Sequence, residues 1–454
     1  MRAADFFRER FAAGGSSEAI VGAAGSCSYE DLTASRERAA RWLESASIEA
    51  GEVVGFAADY SEAAVAMLFA LIDRDCIVVP LYAATRADTS QLLQIAQVQT
   101  VVRCGAGDRF TASSTGAVAD HDHYRELRRH RHPGLVLFSS GTSGPPKAAV
   151  HDFESLLEKF QTGRPSYRTV SFLLFDHIGG INTLCHTLSN HGALVVPAGR
   201  DPDSVCAAID EYRAQLLPTT PTFLNLLLLS EAHRRHDVRS LQLITYGTEP
   251  MSQTTLTRLH AQMPSVRLLQ TYGLAELGIL RSRSRDDESL WMRVGGEGIE
   301  TRVIEGLLEI RTPSAMLGYL NAPSPFTADG WFMTGDAVTI DGDFIRVLGR
   351  QGELVNVGGE KVTPSEVEAV IEQVPLVRAA TVFGRPNPVL GNIVCARVQV
   401  APGTDTSQLR TDIKRHCRRS LGRHEVPMQI DFVTGDLHGE RFKKVRTPSQ
   451  GAER

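Results

Sequence analysis

The stretch Ser139-Ser140-Gly141-Thr142-Ser143-Gly144-Pro145-Pro146-Lys147 gathers hydroxyls, glycines and a closing lysine. Glycine lets a backbone turn sharply and bring its N–H groups close to phosphate oxygens, while hydroxyls add donors and lysine adds positive charge. This is not a Walker A loop, because Gly144 runs into Pro145-Pro146 rather than into Lys-Ser/Thr. It is not the Rossmann G-x-G-x-x-G pattern either. The chemistry it predicts is the holding of a phosphate-bearing ligand. Two other apolar runs end in a similar way: Leu243–Tyr246 before Gly247-Thr248-Glu249-Pro250, and Arg267–Gln270 before Tyr272-Gly273. Ligands of open α/β sheets sit at the carboxyl ends of strands, so these three endings predict one shared nucleotide site.

Elements able to position such loops are legible around them. Glu30-Asp31-Leu32 opens an amphipathic helix, Val53–Phe56 reads as a buried strand, Glu62–Asp73 as a helix and Ile77–Leu81 as a second strand. Strand and helix alternating, with apolar strands, predict a parallel sheet covered on both faces. Leu135–Phe138 is a strand running straight into the glycine-rich stretch, and Asp152 is the expected N-cap of a helix over Phe153–Phe160. The polar segment from Gly105 to Pro133 breaks the rhythm. Its histidines (His121, His123, His130, His132) have no ligand spacing, so surface loop and short helix are expected there rather than a metal. From about Gly298 short strands and turns take over, including Asp341-Gly342-Asp343. A smaller unit follows with a helix signed by Thr363 as N-cap, Pro364 at its first position, Glu366 completing a capping box, and a buried stripe of Val367, Val370, Ile371 and Val374.

A chain of 454 residues implies two or three domains, and a net charge of −5 argues against a nucleic-acid partner. The seven cysteines are scattered with no C-x-x-C pair, which predicts neither zinc nor a disulfide framework. No apolar run approaches the length of a membrane span, and MRAADFFRERF lacks the apolar core of a secretory signal. A cytoplasmic protein with no stable membrane insertion is the expectation.

Beyond the glycine-rich loop, QTYGLAE at Gln270–Glu276, GWFMTGD at Gly330–Asp336, GRQGELVNVGGEKVTPSEVE at Gly349–Glu368 and RFKKVR at Arg441–Arg446 follow in order. With that loop, the chain from about Tyr29 onward resembles the adenylate-forming superfamily of acyl-CoA synthetases, peptide-synthetase adenylation domains and luciferases. The resemblance implies an α/β fold. A large N-terminal domain of layered α/β subdomains plus a small distorted β-barrel is expected over 1–349, and a small mobile α+β C-terminal domain over 350–454.

It also implies roles. Ser139, Ser140, Gly141, Thr142, Ser143, Gly144 and Lys147 hold the β- and γ-phosphates of ATP. Gly247-Thr248-Glu249-Pro250 lies along the adenine, Tyr272 stacks on it, and Gly273 follows in the same turn. Glu276 is the Mg2+ ligand, a carboxylate suiting a hard cation that bridges phosphates. Asp336 accepts the ribose hydroxyls and Arg350 backs it. Lys444, or alternatively Lys443, is the mobile lysine: the distance from Leu437 and the following Val445 favour Lys444, and the spacing to Arg446 favours Lys443. Two departures stand out. Ala275 occupies the place where the family commonly has a threonine that contacts the α-phosphate. Gly352 occupies the hinge position, where the family usually has Asp or Lys.

The acid pocket expected from the resemblance lies between Phe175–Asn182 and the turns at Gly247, Gly273 and Gly278. Asp176-His177 spells two family forms at once: His177 flanks the carboxylate in acyl- and aryl-CoA ligases, whereas Asp176 would pair with an amino acid's ammonium. Alignment on His177 favours a fatty, short acyl or aryl acid; amino-acid adenylation is the alternative. The acceptor is the thiol of CoA or the phosphopantetheine arm of a separate acyl or peptidyl carrier protein. Luciferase-like oxidation and a degenerate nucleotide-binding scaffold are the other readings.

Overall fold

The computed structural model describes residues 2–81, 89–105, 109–139, 146–296, 298–439, 442–444 and 446. Ser140, Gly141, Thr142, Ser143 and Gly144 of the glycine-rich loop lie outside the described residues, as do Arg441 and Val445 of the tail.

Two seven-stranded sheets build the large N-terminal part. In the first, the strands Gly134–Ser139, Ile77–Leu81, Val53–Ala57 and Thr100–Cys104 run parallel in that order. Antiparallel strands flank them: Lys147–Asp152 and then Gly318–Tyr319 on one side, Phe110–Ser114 on the other. The second sheet runs Arg267–Gln270, Leu243–Tyr246, Leu216–Thr219, Arg168–Val170, Ala193–Val196 and Glu18–Gly22 in parallel, closed by the antiparallel Gly25–Ser28. Helix Glu62–Asp73 is buried at every position from Ala63 to Ile72. A helix apolar all round belongs inside a core. Its cluster draws Val54, Phe56, Val78 and Leu137 from the first sheet and Ile20 and Leu194 from the second.

The three strand endings therefore belong to two sheets. Gly134–Ser139 lies in the first, while Leu243–Tyr246 and Arg267–Gln270 are neighbours in the second. The segment expected to be loop and short helix contains the helix Asp122–His130 and also the exposed edge strand Phe110–Ser114. That strand carries one large apolar residue among Thr, Ala and Ser, so alternation could not reveal it.

Next comes a six-stranded antiparallel sheet in the order Ser282–Ser284, Met292–Val294, Phe344–Arg350, Phe332–Asp341, Leu307–Arg311, Glu300–Ile304. Gly342, at a φ of +59°, turns the hairpin between its two longest strands. A separate C-terminal sheet is built on the long pair Val377–Asn387 and Gly391–Val400. Its apolar face is covered by residues of helices Pro364–Ile371 and Leu409–Ser420, with Val367, Ile371, Ile413 and Cys417 in one buried cluster. The expected capping box on Pro364–Ile371 does not form. Thr363 caps no N–H through its side chain, and Glu366 instead accepts from Arg346 Nη2 at 3.2 Å. An arginine on the preceding sheet outcompetes the helix's own N-terminus for that carboxylate.

All seven cysteines are free. Among the described residues no helix is long and apolar enough to cross a membrane.

Candidate active site

Asp336 faces Arg350 across the central hairpin of the six-stranded sheet. Arg350 Nε lies 2.8 Å from Asp336 Oδ1, and its Nη1 donates to the Thr334 carbonyl at 2.9 Å. The other carboxylate oxygen accepts from the Tyr272 hydroxyl at 2.6 Å, and Asp336 is 6% exposed. Burial raises the Asp336 pKa above its ordinary value, and the Arg350 charge opposes that rise. Burial, together with the adjacent Asp336 charge, raises the Tyr272 phenol well above its own. In this geometry Tyr272 donates and Asp336 accepts, held in one orientation by Tyr272 and Arg350.

Tyr272 opens a short hairpin, Tyr272–Leu274 against Gly278–Leu280, and Glu276 sits in its turn. Gly278 closes that turn at a φ of +79°, a conformation that glycine adopts without penalty. Gly247, at the end of Leu243–Tyr246, is required by close approach: a Cβ there would lie 2.5 Å from the Thr271 carbonyl oxygen. Glu276 is buried, and its Oε1 accepts from the Tyr319 hydroxyl at 2.7 Å. Tyr319 lies on the strand Gly318–Tyr319, paired with the strand that begins at Lys147. The Lys147 ammonium stands 5.4 Å from the Tyr319 ring centroid. Lys147 and the candidate metal carboxylate Glu276 therefore flank one tyrosine. Among the described residues no three His, Cys, Asp or Glu side chains converge on a common point. A single buried carboxylate fits Mg2+, which is bound through one or two carboxylates together with substrate phosphates.

Reading by residue type had passed over Tyr319 and His151. The buried His151 donates Nε2–H to the Ala275 carbonyl at 2.6 Å, and burial lowers its pKa, leaving a neutral ring. The backbone of Ala275 is thereby fixed although its side chain lacks the hydroxyl. Neither Tyr319, on a two-residue strand, nor His151, on an ordinary one, carries a local signal in the sequence.

His177 caps the helix Ile178–Ser189, its Nδ1 accepting from Gly179 N at 2.9 Å. Asp176 precedes it, and Phe175 stacks 4.2 Å from Tyr60, whose hydroxyl reaches the Gly180 carbonyl at 3.1 Å. Glu249 turns its carboxylate toward Thr222 N at 2.8 Å and Lys444 N at 3.3 Å. Thr248 beside it adopts a φ of +75°. Gly352 lies in the short 3-10 turn Gln351–Glu353 with open space around its Cα.

The tail lysines are held differently from one another. The Lys444 ammonium sits 2.7 Å from Glu372 and 3.2 Å from Glu368, both on or next to the helix Pro364–Ile371. Burial would lower its pKa, but the two carboxylates outweigh that and raise it. Arg446 joins the same network through Glu368 and Glu353. Lys443 accepts from Gly439 N through its carbonyl at 3.0 Å.

The sequence family described as AMP-binding enzyme matches residues 7–320, and its C-terminal domain matches residues 366–443. A probable CoA ligase of Humulus lupulus is 30% identical over 306 residues, which cover 60% of this chain and 55% of that protein. The chain thus spans little more than half the length of that relative. A feruloyl-CoA synthase of an Amycolatopsis species is 24% identical over 89% of both chains. The fold is shared with an anthranilate CoA ligase in complex with anthranoyl-AMP (TM-score 0.84, 19% identity, 98% of this chain and 96% of that one). It is shared also with ATP-bound MatB from Rhodopseudomonas palustris (TM-score 0.81, 23% identity, 98% and 97%). With the larger match alone spanning more than half its residues, the chain belongs to the AMP-binding enzyme family, whose adenylate-forming members its motifs resemble.

Proposed function

We propose that this chain activates a carboxylic acid with ATP and passes the acyl group to a thiol. The observation that carries the reading is the grouping around one hairpin. Tyr272 holds Asp336, Glu276 sits in the turn, and Tyr319 bridges Glu276 toward Lys147. These are a fixed diol acceptor, a carboxylate suited to a hard cation, and a phosphate-side cation.

In the first half-reaction a carboxylate oxygen attacks the α-phosphorus, the bond from that phosphorus to the bridging oxygen breaks, and pyrophosphate leaves. Two anions meet, so positive charge must gather where negative charge develops. Bound Mg2+, held by Glu276, would neutralise phosphate charge. Asp336 and Arg350 orient the ribose, and Ser139 and Lys147 border the phosphate loop. Lys443 is taken as the mobile cation on its spacing to Arg446; the buried Lys444 ammonium is held by two carboxylates of the C-terminal part. In the second half-reaction a thiolate attacks the acyl carbon and AMP leaves. Gly352 is the proposed hinge between a 1–349 domain and a 350–454 domain.

The acid is read as fatty, short acyl or aryl, with His177 flanking its carboxylate. The names of the relatives favour CoA over a carrier protein as acceptor. Acid-dependent exchange of labelled pyrophosphate into ATP, run across fatty, aryl and amino acids, tests the reading. Exchange with a non-amino acid is expected, exchange with amino acids alone would transfer the role to Asp176, and no exchange with any acid would refute activation.

A further inference from the structure

Phe442, beside the tail lysines, is seated in an aromatic slot of the N-terminal part. Its ring centroid lies 5.3 Å from Phe172 and 5.6 Å from Phe223, the latter edge-on at 89°. The Arg200 guanidinium stands 5.5 Å from both the Phe172 and the Phe442 rings. Phe172 and Phe223 are fully buried with Phe442 in place, and Phe442 packs against the cluster they belong to. Aromatic pairs and a cation over a ring each favour one geometry, which makes such a seat directional.

The backbone is held too. Thr220 Oγ1 donates to the Phe442 carbonyl at 2.8 Å while accepting from Phe223 N at 3.1 Å as the cap of helix Pro221–Ser230. Glu249 takes the Lys444 N–H. Gly439 N donates to Lys443 O and Phe442 N to Gly439 O, and His438 pairs with Lys444. His438 also stacks on Phe442 at 5.4 Å and 23°. Phe442 has a φ of +50°, uncommon for a large side chain and sustained only where neighbours over-determine it.

Residues on either side of Lys443 are therefore tied to different parts of the molecule. Phe442 is tied to the carboxyl ends of strands in the second sheet, and Lys444, through its side chain, to the C-terminal helix that carries Glu368. We propose that Phe442 is a positioning residue of the first half-reaction: by filling the slot of Phe172, Phe223 and Arg200 it holds the adjoining Lys443. This rests on the acid-activation reading above. Because the slot belongs to the N-terminal part and Lys443 to the tail, Phe442 must leave it whenever the C-terminal domain turns for thiol attack. Its loss should harm only the first step.

The test uses the full chain with Phe442→Ala and Phe442→Leu. In pyrophosphate exchange, Phe442→Ala should lower kcat ten- to a hundredfold with KM for ATP and acid within threefold, and Phe442→Leu should recover most of it. Thioester formation from supplied acyl-adenylate should be unchanged or faster. Unchanged exchange would overturn the proposal, as would equal loss in both half-reactions with a lowered melting temperature. Hydrogen exchange of the 436–446 segment reads the anchor without activity: faster exchange in Phe442→Ala supports it, and unchanged protection overturns it. Absence of exchange activity in the unsubstituted chain with every acid would refute the activation reading instead, leaving the anchor to that measurement.

Discussion

Replacing Lys444 by methionine separates the two assignments of the tail lysines. The side chain is 18% exposed and touches Glu372 at 2.7 Å and Glu368 at 3.2 Å. Methionine keeps much of the stem and removes the charge. Glu368 would still have Arg446, whose Nε and Nη2 reach its two oxygens at 2.9 and 3.0 Å, and the Val382 N–H at 2.9 Å. Glu372 would keep the Ala380 N–H at 3.3 Å and lose its cation while 8% exposed. Stripping one partner from a buried pair costs about 3–5 kcal/mol. With one of the two carboxylates still paired, the low end, about 3 kcal/mol, is expected at helix Pro364–Ile371. Hydrogen exchange over 364–387 would report this as a loss of protection on the order of a hundredfold. Acid-dependent pyrophosphate exchange should survive. Lys443→Met should instead leave protection intact and cut exchange by about 10²–10³, the loss typical of removing one donor aimed at developing charge. Abolished pyrophosphate exchange in Lys444→Met with protection retained would rule out Lys443 and restore Lys444 as the mobile cation.

Three other outcomes follow from the site. Tyr272→Phe removes the hydroxyl 2.6 Å from Asp336, a bond to a charged group worth about 1.5–3 kcal/mol. Steady-state kinetics should then show KM for ATP rising roughly ten- to a hundredfold, and an unchanged KM would separate that hydroxyl from nucleotide binding. Gly278→Ala forces a side chain to a φ of +79° with its Cβ 3.0 Å from Leu156 Cδ1. The conformation alone costs about 1–2 kcal/mol. A lower melting temperature and a weakened Mg2+ dependence, through displacement of Glu276, are expected; neither would change if the turn were tolerant. Glu368 has its pKa held below the ordinary 4.5: burial would raise it, but Lys444 and Arg446 more than reverse that. Its contribution to stability is therefore complete above pH 4.5 and lost as pH falls through the lower folded value. Glu368→Gln should remove that acid limb from a pH series of hydrogen-exchange protection at 364–387, and an identical limb in the variant would refute the assignment.

Strand endings at Leu243–Tyr246 and Arg267–Gln270 were legible to the residue, because short apolar runs stopped by glycine and polar residues carry the signal locally. Which sheet each of the three endings belongs to was not legible, since strand order depends on contacts far apart in sequence. Tyr272, Asp336 and Arg350 were each assigned a role by resemblance, and the structure brings them together. Tyr319 and His151 stayed hidden because their function comes from partners, Glu276 and the Ala275 carbonyl, over a hundred positions away for His151. The capping box failed for a related reason. Local spacing offered Glu366 to its own helix, and Arg346 on another sheet took it. The choice between Lys443 and Lys444 could not be made by counting along the chain. The structure adds a tertiary contact, that of the Lys444 ammonium with Glu368 and Glu372, and the exchange experiment decides between the two.

Acid activation by this route leaves an oxygen of the acid on the α-phosphate of ATP. Supplying an accepted acid labelled with 18O in its carboxylate, with Mg-ATP and a thiol acceptor, tests this directly by mass spectrometry of the products. One labelled oxygen recovered in AMP, with unlabelled pyrophosphate, is the predicted result. Label appearing in orthophosphate beside ADP would mean an acyl-phosphate route and would contradict the account.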